Sequence, residues 1–128
     1  IAYYAGLRER LNAGQLNFAD VFRPRGLSAA VEKLAFFSRW ITPVGYPRRY
    51  DTHFFVAAAP ERQIAVPDGQ EAIDHIWISP AQALHQGGQG KLALSFPTIS
   101  TLQDISNFAS TETLLEYARQ QDKIEPIV

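Results

Sequence analysis

Arg39, Arg48, Arg49 and Asp51 fall within one stretch, RWITPVGYPRRYDTHFF (39–55), among a Trp, two prolines, two tyrosines and a Phe pair. A guanidinium is a planar fork of N–H donors that matches two phosphate oxygens at once, and an aromatic ring such as Trp40 or Tyr50 can stack on a nucleobase. The stretch therefore has the composition of a site that grips an anionic, nucleotide-like ligand. It also has the composition of an ordinary charged hairpin, in which Asp51 pairs with one arginine and water solvates the others. The residues alone leave both readings open.

The other chemistry-bearing residues offer less. A divalent cation needs several carboxylates converging from one face. Glu112 and Glu116 are four apart, but they belong to a C-terminal helical pattern with Tyr117 and Arg119 and read as a solvated face. Glu71 and Asp74, three apart on an expected strand, point to opposite faces. His53, His75 and His85 are isolated from one another in the sequence. No Gly-x-Ser-x-Gly elbow is present to anchor an acyl-transfer triad. The cluster QGGQG follows a helical pattern and lacks the Lys-Ser/Thr of a phosphate loop, so it reads as a turn. The arginine-rich stretch stands out by elimination.

These residues must be positioned by a chain of 128 residues, 46% hydrophobic, which is enough for one domain with a core. A net charge of -1 gives no electrostatic case for duplex nucleic acid or an anionic membrane. Without cysteine there are no disulfides, thiolate metal sites or Cys nucleophiles, a composition that fits a cytoplasmic protein. No apolar run approaches the roughly 20 residues that span a bilayer. The chain begins on Ile1 inside an amphipathic pattern, with no signal-peptide pattern, so it is expected to be part of something longer.

Helical spacing of Ile1, Tyr4, Leu7, Arg8 and Leu11 predicts a helix ending at Gly14, and NFADVFR predicts a second one capped by Asn17 and stopped by PRG at 24–26. EKLAFFSRWI and YDTHFFVAAA are expected strands joined by the loop PVGYPRR, which is too short for a helical crossover and so makes them sheet neighbours. EAIDHIWI is an expected third strand. Three helices should follow: SPAQALHQ, with Ser79 as cap and GGQG as terminator; TISTLQDISNF after Pro97, with Thr98 or Ser100 near its cap; and STETLLEYARQQ from Ser110, with Thr113 and Glu116 at capping-box spacing. Strands followed by helices indicate an α+β or layered α/β/α domain.

From about residue 36 the order of motifs resembles the Nudix hydrolase superfamily, in the branch that includes the peroxisomal coenzyme A-cleaving enzymes and their bacterial relatives. The carrying residues are RWITP (39–43), PRRYDTHFFVAAAP (47–60), DGQEAIDHIWISPAQAL (68–84) and LALSFPTISTLQDIS (92–106). The resemblance implies one domain over 1–128, a Nudix-type α/β/α sandwich with a mixed sheet flanked by helices. Residues 1–30 would be a helical lead-in or insertion, and 31–128 the strands and C-terminal helices. The Nudix box, Gly-x5-Glu-x7-Arg-Glu-U-x-Glu-Glu-x-Gly-U with U aliphatic, is absent; in the family it lies upstream of the matched region and its glutamates hold Mg2+ or Mn2+. The branch's coenzyme A motif would also lie upstream. The chain is thus expected to be the C-terminal part of a Nudix enzyme, inactive alone.

Family chemistry would be attack of metal-activated water on a nucleoside-linked diphosphate, with coenzyme A or acyl-coenzyme A as candidate substrates. Arg39, Arg48, Arg49, Tyr50 and Asp51 would then face the substrate, with Asp51 orienting an arginine. Glu71 would be the added carboxylate, as base or extra metal ligand. The competing readings are a Nudix-like module that binds a nucleotide or partner without hydrolysis, and a structural subdomain that forms a homodimer through its C-terminal helices.

Overall fold

The computed structural model describes residues 2–62, 64–69 and 72–128. They form two compact units divided between Glu32 and Lys33.

In the first unit, helix α1 (Ala2–Asn12) stops where Gly14 takes a φ of +68°, a left-handed conformation that glycine adopts without a Cβ penalty. Leu7 is its buried residue, whereas Tyr4 of the same expected stripe is exposed. Helix α2 (Phe18–Phe22) starts at Asn17, whose backbone N–H donates to Asp20 Oδ2 at 2.9 Å. A 3₁₀ turn over Arg23–Arg25 follows, with Gly26 left-handed after it. Arg25 ties the unit together: it donates to the Val21 carbonyl at 2.6 Å and to the Tyr3 hydroxyl, and its guanidinium sits 5.1 Å from the Tyr3 ring centroid.

The second unit combines helices with a small antiparallel sheet, an α+β arrangement. Strand β1 (Ala35–Ile41) pairs with β2 (Asp51–Val56) in the register Ile41–Asp51, Arg39–His53, Ser38–Phe54 and Phe36–Phe55. The irregularity between Phe36 and Ser38 leaves Phe37 unpaired. That extra residue packs against the core and stands edge-on to Phe108, with ring centroids 6.5 Å apart. The two segments are neighbours in one sheet, as the short loop requires. The first strand is shorter than expected, because Val31–Lys33 forms a 3₁₀ turn.

Paired residues share a sheet face, so the register separates two surfaces. Ala35, Ser38 and Trp40 are buried under helices α4 (Phe96–Ile105) and α5 (Thr111–Arg119). Ala35 joins Leu115 and Ala118 in the core, Ser38 meets Thr101, and Trp40 stands edge-on to Phe96 at 5.7 Å. Phe36, Arg39, Asp51, His53 and Phe55 lie on the opposite, open face. At its outer edge β1 makes a single parallel bridge to Ile127, with Ile41 N–H donating to the Ile127 carbonyl and Ile127 N–H to the Arg39 carbonyl, both at 2.9 Å.

The expected strand EAIDHIWI is not found: residues 72–79 form no ladder, and Glu71 lies outside the described residues. Alternation makes a strand possible, but only a partner for its backbone groups makes it one. The helices follow the sequence with adjusted ends. Helix α3 (Pro80–Gly88) is capped by Ser79 but runs through Gly87 and Gly88, and Gly90 (φ +70°) marks its end. A Cβ on Gly87 would come within 2.7 Å of the Leu94 side chain, so that glycine serves close packing within a continuing helix. Helix α4 is capped by Ser95, earlier than Thr98 or Ser100, because Pro97 fits inside a first turn that needs no N–H from it. In α5 the reciprocal cap joins Ser110 to Thr113, not Thr113 to Glu116, since Ser110 is the residue with extended backbone at the helix start.

Candidate functional site

The hairpin sorts its arginines by partner. Arg39 and Asp51 lie one pair apart in the register on the same open face, which is within diagonal reach. Arg39 donates from Nε to Asp51 Oδ1 at 2.8 Å and from Nη2 to Oδ2 at 2.6 Å, a two-pronged pair. His53 Nδ1 is 3.9 Å from Asp51 Oδ1, and its ring lies 5.2 Å from that of Phe36. The face therefore runs from an ion pair beside the loop to an aromatic row of His53, Phe36 and Phe55.

Arg49 occupies a different niche. Its Nε donates to the Thr42 carbonyl at 2.9 Å, while Thr42 Oγ1 accepts from Tyr50 N–H at 3.0 Å and Thr42 N–H donates to the Tyr50 carbonyl at 3.0 Å. Thr42 thus latches the mouth of the loop and holds the Arg49 stem. Neither Arg48 nor Arg49 has a carboxylate partner among the described residues, and both are exposed. Tyr50 is 62% exposed beside them, with Tyr46 exposed in the same loop. Gly45, at φ +103°, makes the bend that presents them.

The hydrogen bonds from Arg39, more than its charge, hold the Asp51 carboxyl below the usual carboxylate range and raise the Arg39 guanidinium in return. Asp51 is thus an anion fully committed to Arg39 at neutral pH. Arg39 is correspondingly a less available phosphate ligand than Arg48 or Arg49.

Of the residues singled out from the sequence, Arg39 and Asp51 come together as a pair, and Arg48, Arg49 and Tyr50 form an open cationic and aromatic loop beside it. Trp40 offers no stacking surface: it is 8% exposed, with its ring against Phe96. Glu71 lies outside the described residues. Sequence reasoning missed the Thr42 latch and the place of His53 beside Asp51. The hairpin register would have revealed both, since pairing 41 with 51 puts 42 opposite 50 and His53 on the face of Asp51.

The arrangement can bind an anion. No group of three or more His, Cys, Asp or Glu side chains among the described residues could hold a metal ion. Glu112 is exposed in the first turn of α5, its carboxyl lowered by its own backbone N–H and then by Ser110. Two clefts, of about 300 and 430 Å³, are lined by other parts of the second unit and include none of Arg39, Arg48 or Arg49. Arg48 and Arg49 are exposed, and Arg39 is half-buried.

Comparison with curated proteins agrees with the motifs that frame this hairpin: the chain is similar to Nudix hydrolases of the coenzyme A-cleaving branch. Human acyl-coenzyme A diphosphatase NUDT19 is 27% identical over 115 residues, which cover 88% of this chain and 31% of the human protein. Its Gallus gallus counterpart is 28% identical over 116 residues, covering 87% of this chain and 31% of that protein. A Caenorhabditis elegans protein provisionally named nudix hydrolase 7 is 24% identical over 116 residues, covering 91% of this chain and 39% of its own length. The chain thus spans about a third of the length of these relatives. No protein-family model and no solved structure matches it.

Proposed function

We propose that these residues are the C-terminal, substrate-side part of a Nudix hydrolase that cleaves a nucleoside-diphosphate-linked substrate of the coenzyme A or acyl-coenzyme A type. The observation that carries this reading is the similarity to acyl-coenzyme A diphosphatases over 88% of the chain. The geometry supports it through Arg48 and Arg49, two cations that no carboxylate neutralises among the described residues. Fixed cations beside a diphosphate stabilise the charge that develops as water attacks one phosphorus and the bridging oxygen leaves with the other. The products of that hydrolysis are two phosphate monoesters.

In this reading Arg49, held at its stem by Thr42, positions a phosphate, and Tyr50 offers a ring to the base. Asp51 keeps Arg39 rigid at the base of the loop. Glu71 is the proposed additional carboxylate, as general base or extra metal ligand. The carboxylates that hold Mg2+ or Mn2+ in the Nudix family would come from elsewhere in the polypeptide, and the two strands would belong to the larger mixed sheet of an α/β/α sandwich.

The test compares the full-length protein with residues 1–128 on acyl-coenzyme A in the presence of Mg2+, with products read by mass spectrometry. The full-length protein is expected to yield the two phosphate monoesters and the isolated chain to yield neither. A full-length protein that binds coenzyme A tightly but turns over no nucleoside diphosphate compound would establish the binding module instead. Turnover by residues 1–128 alone would overturn the assignment of metal-holding carboxylates to other parts of the polypeptide.

A further inference from the structure

Two helices end at one cleft. The larger cleft of the second unit, about 430 Å³, is lined by Asp104 and Phe108 at the end of α4, by Tyr117 at the end of α5 and by Phe37 of β1. Another wall is the tail that carries Lys123 and Glu125 and that Ile127 fastens to the outer edge of β1. Peptide dipoles leave a partial negative charge at a helix C-terminus, where a basic side chain is the stabilising choice. Helix α4 has no basic residue in its last turn and places Asp104 there instead. Helix α5 has Arg119 in its last turn, but Arg119 does not line the cleft.

The side-chain charges add to this field. Lys123 pairs with Glu125 in an exposed position, and Asp104 has no cationic partner among the described residues. Two carboxylates against one ammonium leave one negative charge on the lining. The rings have a matching character. Phe108 stands between the other two, inclined 71° to Phe37 with centroids 6.5 Å apart and 50° to Tyr117 at 5.1 Å. Rings set at different angles beside a carboxylate attract an alkylated ammonium, whose methyl groups prefer ring surface to water and whose charge is drawn to the negative ring faces. A bare divalent cation would need several converging oxygen ligands. No group of three or more such side chains lies together among the described residues.

We infer that this cleft binds a small organic cation, an alkylated ammonium of the choline class. The head group sits against Phe37, Phe108 and Tyr117, and Asp104 answers its charge. The volume lies within the roughly 300 to 1,000 Å³ of small-molecule pockets. Diphosphate is repelled here, so the site is independent of the hydrolase reading. A phosphocholine head group fits less well than a free ammonium, because its phosphate would approach the same carboxylates.

The test is calorimetric titration of the full-length protein with choline chloride, without substrate. Choline is expected to bind saturably at one site. Dimethylbutanol, its neutral isostere with carbon in place of nitrogen, is expected to bind at least about tenfold more weakly, since it keeps the methyl surface and loses the charge. Asp104→Asn should weaken choline binding about two- to fivefold and leave the neutral isostere unchanged. Tyr117→Leu, at a position 46% exposed, should also cost about two- to fivefold, and Tyr117→Phe, which keeps the ring, less than about twofold. Thermal unfolding of each variant shows that it is folded. No saturable binding, equal affinity for the neutral isostere, or an affinity unchanged in both Asp104→Asn and Tyr117→Leu would overturn the inference. Tighter binding to phosphatidylcholine vesicles or to a trimethyllysine peptide than to choline would overturn its assignment to a free small molecule.

Discussion

Replacing Arg49 by Ala in the full-length protein removes one guanidinium with two attachments to separate. One is the Nε donation to the Thr42 carbonyl at 2.9 Å, which braces the loop. The other is the proposed contact of its terminal nitrogens with a substrate phosphate. The brace lies at the surface, where water can replace the lost donor, so the expected loss of folding stability is at most about 1 kcal/mol. A charge-assisted phosphate contact is worth more, about 1.5 to 3 kcal/mol. At 1.36 kcal/mol per decade that is roughly one to two decades in kcat/KM.

Glu112→Ala is the matched control, an exposed charge on a helix far along the chain from the loop, and it should leave kcat/KM within about threefold of the parent, as surface substitutions usually do. Arg49→Lys separates charge from geometry. An ammonium keeps the attraction but cannot make a two-pronged contact, so it should recover part of the loss and not all of it. The assay is kcat/KM on acyl-coenzyme A, with thermal unfolding of each variant showing that all are folded at the assay temperature. Equal kinetic effects from Arg49→Ala and Glu112→Ala would refute the reasoning and return the loop to a charged hairpin.

Two further outcomes follow from the geometry. The lowered Asp51 carboxyl makes the Arg39–Asp51 pair stabilising above the ordinary aspartate pKa, near about 4; the contribution is lost as pH falls through the lower folded value, so acid melts of Asp51→Asn should lack that part of the pH dependence. Trp40→Ala should cost about 3 to 5 kcal/mol in thermal or denaturant unfolding as a buried aromatic, and Trp40→Phe clearly less, since it also deletes a buried Nε1–H that has no partner among the described residues.

What the sequence reveals and what it hides divide along a physical line. Helix starts are local: Ser79, Asn17 and Ser110 cap helices because a side chain and an amide a few residues away suffice. The hairpin is nearly local, since seven loop residues leave few other ways for two apolar strands to meet. Its ion pair follows from the register, yet which arginine Asp51 would choose was not legible from composition. Trp40 misleads for the opposite reason: an aromatic beside an arginine looks like a binding surface until the register sends it to the packed face with Ser38. The expected strand at 71–78 fails because strand formation is a relation between segments, and alternation in one of them carries no information about the other.

That last segment leads to a separate prediction. Ile73, Ile76 and Trp77 are all exposed, and Trp77 is 70% so, on a stretch whose backbone joins no ladder. Scattered apolar side chains on a surface are ordinary, but a run of large ones within five residues, on a segment patterned like a strand, is what a covered element looks like when its cover is elsewhere. In the full-length protein Trp77 should therefore be shielded. The measurement is acrylamide quenching of the full-length protein against its Trp77→Phe variant, so that the difference between them reports Trp77 alone. A shielded indole gives a difference spectrum shifted to shorter wavelength and weakly quenched, and burial of that ring should make Trp77→Ala cost about 3 to 5 kcal/mol of stability. A strongly quenched, long-wavelength difference spectrum, with Trp77→Ala as stable as the parent, would show that the segment is an exposed loop in the whole protein too.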